Sequence, residues 1–145
     1  MDPFVRRFIR ASVLWLGVGV IIGLAMIFWP MQGLSYRPAH VHANLLGFVS
    51  MMIFGVAYHV VPRFSGAPLQ YPRLAGVHLW IANLGLILMV SGWIGRVWWR
   101  TPGELVLRIG ASVSAVGALL FIFNIWRTLD AAAEPHPLAR RVVSR

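Results

Sequence analysis

The chain has 145 residues, 59% of them hydrophobic and only 12% charged, with a mean hydropathy of +0.73. That leaves too little polar material for the shell of a soluble domain, so lipid is the solvent to which the composition points. The absence of cysteine excludes disulfides, thiolate haem ligation, iron–sulfur clusters and zinc ribbons, and the net charge of +9 comes from arginine alone, placed at segment ends as membrane topology requires rather than in a block for nucleic acid.

Four apolar segments, each long enough as helix to cross a bilayer, use most of the sequence. The expected fold is therefore all-α: one integral membrane domain, residues 1–145, built as a four-helix bundle. Residues 1–10 form a basic head. The first span covers about 11–29 and stops at Pro30. It lacks a small-residue cleavage site and is expected to be a retained helix rather than a signal peptide. Its Gly19 and Gly23 make a small-xxx-small pair suited to close helix packing, and no ionisable group lies in its core, so it is scaffold.

The second span covers about 39–61 and ends at Pro62, followed by the Gly- and Pro-rich loop RFSGAPLQYPR. The third, about 74–94, carries His78 and Asn83. Trp98 and Trp99 then suit the interfacial aromatic belt. The fourth, about 105–126, holds Arg108 near its start and Asn124 near its end. The basic tail, 127–145, is expected to be partly disordered, with His136 solvated between Pro135 and Pro137. No internal repeat is apparent.

Arginine placement sets the expected orientation. With both termini on one side, that side holds Arg6, Arg7, Arg10, Arg63, Arg73, Arg127, Arg140, Arg141 and Arg145, nine in all, against Arg37, Arg96, Arg100 and Arg108 on the other. The positive-inside rule then puts both termini in the cytoplasm of a bacterial or archaeal inner membrane.

The chemistry concentrates in residues 37–63, RPAHVHANLLGFVSMMIFGVAYHVVPR. A span that apolar has no free water for His40, His42, Asn44 and His59, so each needs a partner or a task. Imidazole is a common axial ligand of haem iron. The topology puts His40 and His42 near the outer face, and His59 about 26 Å deeper than His42 at 1.5 Å per residue. His78 enters from the cytoplasmic side at a depth matching His59, where a metal or a second haem has room between them. His40 and His42 point about 200° apart on a helix. A regular helix puts Leu46, Val49, Ile53, Val56 and Val60 on the face of His42 and His59 about 100° away, which does not make a stacked two-haem wire.

These residues also carry a resemblance. RPAHVHANLLGF followed by FGVAYHVVPR resembles helix II of the catalytic subunit of haem-copper oxidases, above all the nitric-oxide reductases and cbb-type oxidases, and RLAGVHLWIANLG resembles helix III. In that family a His-x-Asn near the outer end of helix II supplies an axial ligand to the low-spin haem b. The resemblance implies that role for His42 of His42-Ala43-Asn44. A second alignment, anchored on Arg37-Pro38, Val60-Val61 and Arg63, gives it to His40. The helix bearing the second low-spin ligand and the histidines for copper and high-spin haem have no counterpart, so copper is not implied.

The expectation is a membrane b-type cytochrome that transfers electrons, with quinol or a periplasmic cytochrome as redox partner. His42, His40, His59 and His78 are the candidate iron ligands, and Arg37, Arg96, Arg100 and Arg108 suit haem propionates. The missing outer ligand is either Met89 or, preferably, His42 of a second copy across a two-fold axis. The alternatives are an accessory or assembly subunit, a haem or metal carrier, and a gas-binding haem protein. Structural histidines bonding between helices are the plainer reading. Asn44, Asn83 and Asn124 are expected as interhelical hydrogen bonders, Met51 and Met52 as packing, and Glu104 as partner of Arg108.

Overall fold

The computed structural model describes residues 1–133, with the side chains of residues 30–32 outside that description. His136 and the rest of the expected tail beyond residue 133 fall outside it as well. The described residues are helical almost throughout and contain no strand. Four helical spans are long and apolar enough to cross a membrane: Pro3–Phe28, Gly33–Ser65, Pro72–Gly95 and Arg100–Ala133. The chain is a multi-pass membrane protein.

Helix α1 (Pro3–Phe28) begins on a proline, whose missing N–H costs nothing in a first turn. It ends at Trp29, which the following proline biases away from helical torsions. Helix α2 (Pro30–His42) starts at once, and Gly33 lets it fold back over α1, since a Cβ there would stand 2.9 Å from the Met26 carbonyl. The stretch expected to connect the first two spans is thus helical. The second span then continues through a π-helical segment, Ala43–Ser50, into α3 (Met51–Ser65). Pro62 does not end it; the helix runs on to Gly66, whose φ of 70° is the left-handed cap that glycine adopts freely. Helix α4 (Pro72–Gly95) again opens on proline, and α5 (Arg100–Ala133) extends seven residues past the expected end at residue 126.

The π segment decides which face of the second span is inside. From Ala39 onward the buried residues of this span are Ala39, Ala43, Gly47, Met51, Gly55 and Tyr58, spaced by four until the last step. On a regular helix four steps of four residues drift about 160° around the axis. Wider i→i+5 turns take up that drift and hold the stripe against its neighbours. Val49, Ile53 and Val56, grouped with His42 by regular helical spacing, lie on the exposed side instead.

Two helix pairs make the bundle. Helix α1 packs on the second span by exchanging small for large: Gly47 lies under Trp15, and Gly55 under Phe8. Helices α4 and α5 meet along a seam with a seven-residue repeat. His78, Gly85 and Gly92 supply it on α4, and Gly103, Gly110, Gly117 and Asn124 on α5. A sustained spacing of seven is the pattern of left-handed supercoiling, and the glycines bring the backbones close. A Cβ on Gly92 would stand 2.5 Å from the Leu107 backbone nitrogen, and one on Gly110 would strike the backbone of Met89.

At the end of the bundle that carries the N-terminus, α5 grips the α3–α4 loop. The buried Asn124 amide reads the Tyr71 peptide both ways, its Oδ1 accepting from the Tyr71 N–H (3.2 Å) and its Nδ2 donating to the Tyr71 carbonyl (2.9 Å). The Gln70 N–H donates to Thr128 Oγ1 (3.2 Å), which in turn donates to the Asn124 carbonyl (2.8 Å). These bonds explain why α5 continues past residue 126.

Gly110→Val is expected to lower stability by about 1–3 kcal/mol through overpacking of the α4–α5 seam. Asn124→Ala should cost a similar roughly 1–3 kcal/mol by stranding the Tyr71 peptide groups. Leu119→Ala, on the exposed side of α5, should change little. Thermal unfolding in detergent compares the three.

Candidate functional site

The loop end of the bundle, opposite the N-terminus, holds His40 and His42. His40 turns toward α1. Its Nδ1 lies 2.8 Å from the Gly19 carbonyl, an oxygen that can only accept, so Nδ1 carries the proton. The ring stands over Gly23, where a Cβ would come within 3.0 Å of it, and a Cβ on Gly19 would collide with the Asn44 amide. Asn44 Nδ2 donates to the His40 carbonyl (2.9 Å) and lies 3.4 Å from both His40 ring nitrogens. The small-xxx-small pair of α1 therefore receives a His–Asn pair rather than a bare helix backbone.

His42 turns the other way, toward α4. Its Nδ1–H donates to the Pro38 carbonyl one turn earlier (2.7 Å). That bond fixes the tautomer and leaves Nε2 unprotonated, and no hydrogen bond to Nε2 is found among the described residues. A metal-binding imidazole is held in this way. The ring stacks on Trp93, with centroids 6.2 Å apart and planes at 29°. The Arg96 guanidinium lies 4.7 Å from the Trp93 ring centre. Beside them is a polar cavity of about 430 Å³ lined by Leu34, Ser35, Pro38, Trp93, Arg96, Val97 and Arg100.

Glu104 braces the cations at this end. It pairs with Arg100 (3.6 Å), Arg96 (4.0 Å) and the expected partner Arg108 (4.0 Å). One carboxylate among three guanidiniums leaves the cluster positive. Arg37 is exposed on α2 and does not line the cavity.

The two deeper histidines have separate surroundings. His59 Nδ1 accepts from Arg63 Nη1 (2.8 Å), and the same nitrogen donates to the His59 carbonyl (2.6 Å). His78 is fully buried in a cage of Phe8, Phe54, Tyr58 and Phe121, with ring centroids between 4.8 and 5.8 Å from its own. Its Nδ1 is 3.0 Å from the Tyr58 hydroxyl, and its Nε2 has no partner among the described residues. Matching depth along the chain does not bring the two imidazoles to a common centre: Tyr58, not its neighbour His59, is on the buried stripe. Met89 is buried on the α4 stripe that meets Gly110.

The donor types at this end are those a haem would use, with His42 beside the cavity rather than among its lining residues. His42 offers one unprotonated nitrogen, Arg96 and Arg100 offer cations for carboxylates, and the buried Trp93 Nε1–H has no partner among the described residues. Among the described residues no cluster of three His, Cys, Asp or Glu side chains forms a metal site from protein groups alone. Trp93 and Tyr58, the partners of His42 and His78, are not singled out by the amino-acid order. The spacing of three between Trp93 and Arg96 was the available signal for the first; nothing local pointed to the second.

Asn83 accepts from Trp15 Nε1 (3.0 Å) and donates to the Leu79 carbonyl (2.7 Å), joining α1 to α4. Met51 is buried in the core, as expected of packing.

A profile of the family described as Cytochrome C and Quinol oxidase polypeptide I matches residues 4–143. The Cbb3-type cytochrome c oxidase subunit CcoN1 of Stutzerimonas stutzeri is 29% identical over 90% of this chain and 34% of its own length. The bacteroid cytochrome c oxidase subunit 1 homolog of Bradyrhizobium diazoefficiens is 26% identical over 88% of this chain and 28% of its own. The cytochrome c oxidase subunit 1 of Rhodobacter capsulatus is 26% identical over 88% and 29%. The chain thus spans about a third of the length of the curated relatives it matches.

His78→Ala is expected to lose roughly 2–5 kcal/mol by emptying the aromatic cage. The double variant Tyr58→Phe/His78→Phe should stay near the parent, since both polar partners leave together. Chemical denaturation in detergent compares them; equal losses would contradict the cage.

Proposed function

The chain belongs to the haem-copper oxidase subunit I family, and from that premise we propose that it is a bacterial membrane b-type haem protein that transfers electrons, with His42 as an axial ligand of one low-spin haem. The observation that carries this reading is the His42 imidazole, held through Nδ1–H by the Pro38 carbonyl, which leaves Nε2 unprotonated and without a hydrogen bond among the described residues. A bound haem supplies a one-electron redox centre. The chain's own residues orient the ligand, keep it in the binding tautomer and offer Arg96 and Arg100 to carboxylates.

His40 is the less suited of the pair. Its ring is engaged with Gly19 and Asn44 against α1, where it joins two helices. Met89 lies on the seam with α5, so the second axial ligand is better supplied by His42 of another copy. A two-fold interface is self-complementary and brings the same side chain from both partners. Arg37 and Arg108, both exposed at the same end, extend the positive surface toward anionic groups. Quinol or a periplasmic cytochrome is the proposed redox partner, in a cytoplasmic membrane with both termini inside. Neither copper nor the oxygen chemistry of the longer relatives is part of this proposal.

The purified, reduced protein is expected to show a Soret band and the alpha band of six-coordinate haem, with one haem per two chains by pyridine haemochrome. His42→Ala should abolish the spectrum, while His40→Ala should retain it with lowered thermal stability. Carbon monoxide should leave the reduced spectrum unchanged. A colourless protein, folded and made with porphyrin supplied, would overturn the proposal.

A further inference from the structure

We propose that Trp93 and Arg96 are positioning residues for His42, forming with Glu104 a brace that sets the plane of its imidazole and places a fixed positive charge beside it. The consequence for iron rests on the reading of His42 as a haem ligand; the geometry of the brace does not.

The hydrogen bond from His42 Nδ1 to the Pro38 carbonyl (2.7 Å) settles the tautomer. One bond to a carbonyl on the same helix still lets the ring swing about the line joining the two atoms. A second, flat contact is needed to stop it. The Trp93 indole provides that contact from α4, near-parallel at 29° and 6.2 Å between centroids. Among the described residues the indole has no hydrogen bond of its own, its buried Nε1 lacking a partner. What seats it is Arg96, one turn further on, with its guanidinium 4.7 Å from the ring centre, the arrangement of a cation–π contact. Arg96 is tied in turn to Glu104 of α5 (4.0 Å), which also pairs with Arg100 and Arg108. Three spans therefore meet in one line of contacts: Glu104 holds Arg96, Arg96 covers Trp93, and Trp93 faces His42.

Two effects follow. The imidazole plane is set from α4 rather than by its own helix alone, so the ligand keeps one orientation. A guanidinium on this stack also favours the state with one more electron, because added negative charge is attracted to it across a low-dielectric site.

The test begins on the full chain prepared without haem, with isotope-labelled histidine in detergent micelles, and uses His42→Gln to assign the ring signals. Trp93→Leu is expected to move the His42 ring-proton signals downfield by removing the indole ring current, leaving His59 unmoved. Trp93→Phe, which keeps an aromatic face and serves if the leucine variant does not fold, should move them less. In the haem-loaded protein, Trp93→Leu should change the electron paramagnetic resonance anisotropy of the oxidised iron. Arg96→Gln should lower the midpoint potential, and Arg96→Lys should preserve it. His42 signals unmoved in both Trp93 variants overturn the brace, and an unchanged potential in Arg96→Gln overturns the charge effect. A colourless wild type whose His42 signals still respond to Trp93 would defeat the haem reading and leave the brace standing.

Discussion

The widened turn between Ala43 and Ser50 governs this bundle. The second span must keep one face turned inward for about four turns, and a regular helix cannot hold Ala39, Ala43, Gly47, Met51 and Gly55 on one side. The π segment absorbs the mismatch. It also decouples the two ends of the span. His40 and Asn44 are turned to α1 and His42 to α4, while Tyr58 rather than His59 is turned inward.

Lipid as solvent accounts for the rest of the packing. The outer surface is as apolar as the interior, with Leu14, Ile21, Trp80 and Leu119 all well exposed, so burying apolar area does little to choose one helix partner over another. Close backbone approach and interhelical hydrogen bonds must choose instead. Small residues therefore occur wherever two helices cross, and most polar side chains within the spans have a partner on another element or on their own backbone. Among the described residues three buried exceptions, His78 Nε2, Trp93 Nε1 and Ser114 Oγ, mark places where the packing by itself leaves a polar group unsatisfied. One of them lies beside His42.

The loop end differs from the rest in charge as well as in shape. Three guanidiniums share Glu104, two of them lining a polar cavity, near an imidazole whose tautomer is set by a backbone carbonyl. At the opposite end the polar side chains serve the chain itself, Asn124 and Thr128 closing the α3–α4 loop and Arg63 capping His59.

The number of spans, the all-helical class and the approximate place of each helix were legible in the amino-acid order, because length and hydropathy suffice for them in a bilayer. So was the concentration of polar chemistry in residues 37–63. Of the two proline stops expected, Pro30 follows the end of the first helix but Pro62 sits inside continuous helix, since a missing N–H is tolerated near a span's ends, where the freed carbonyl has other donors. The seven-residue seam of α4 and α5 went unseen because small residues are frequent in any membrane helix. Which histidine faces which neighbour was decided only by the tertiary structure. Side-chain direction on a helix depends on accumulated rotation, and one widened turn redirects every residue beyond it; no local signal in Ala43–Ser50 announces that turn. It arises because α1 and α4 together demand one unbroken face.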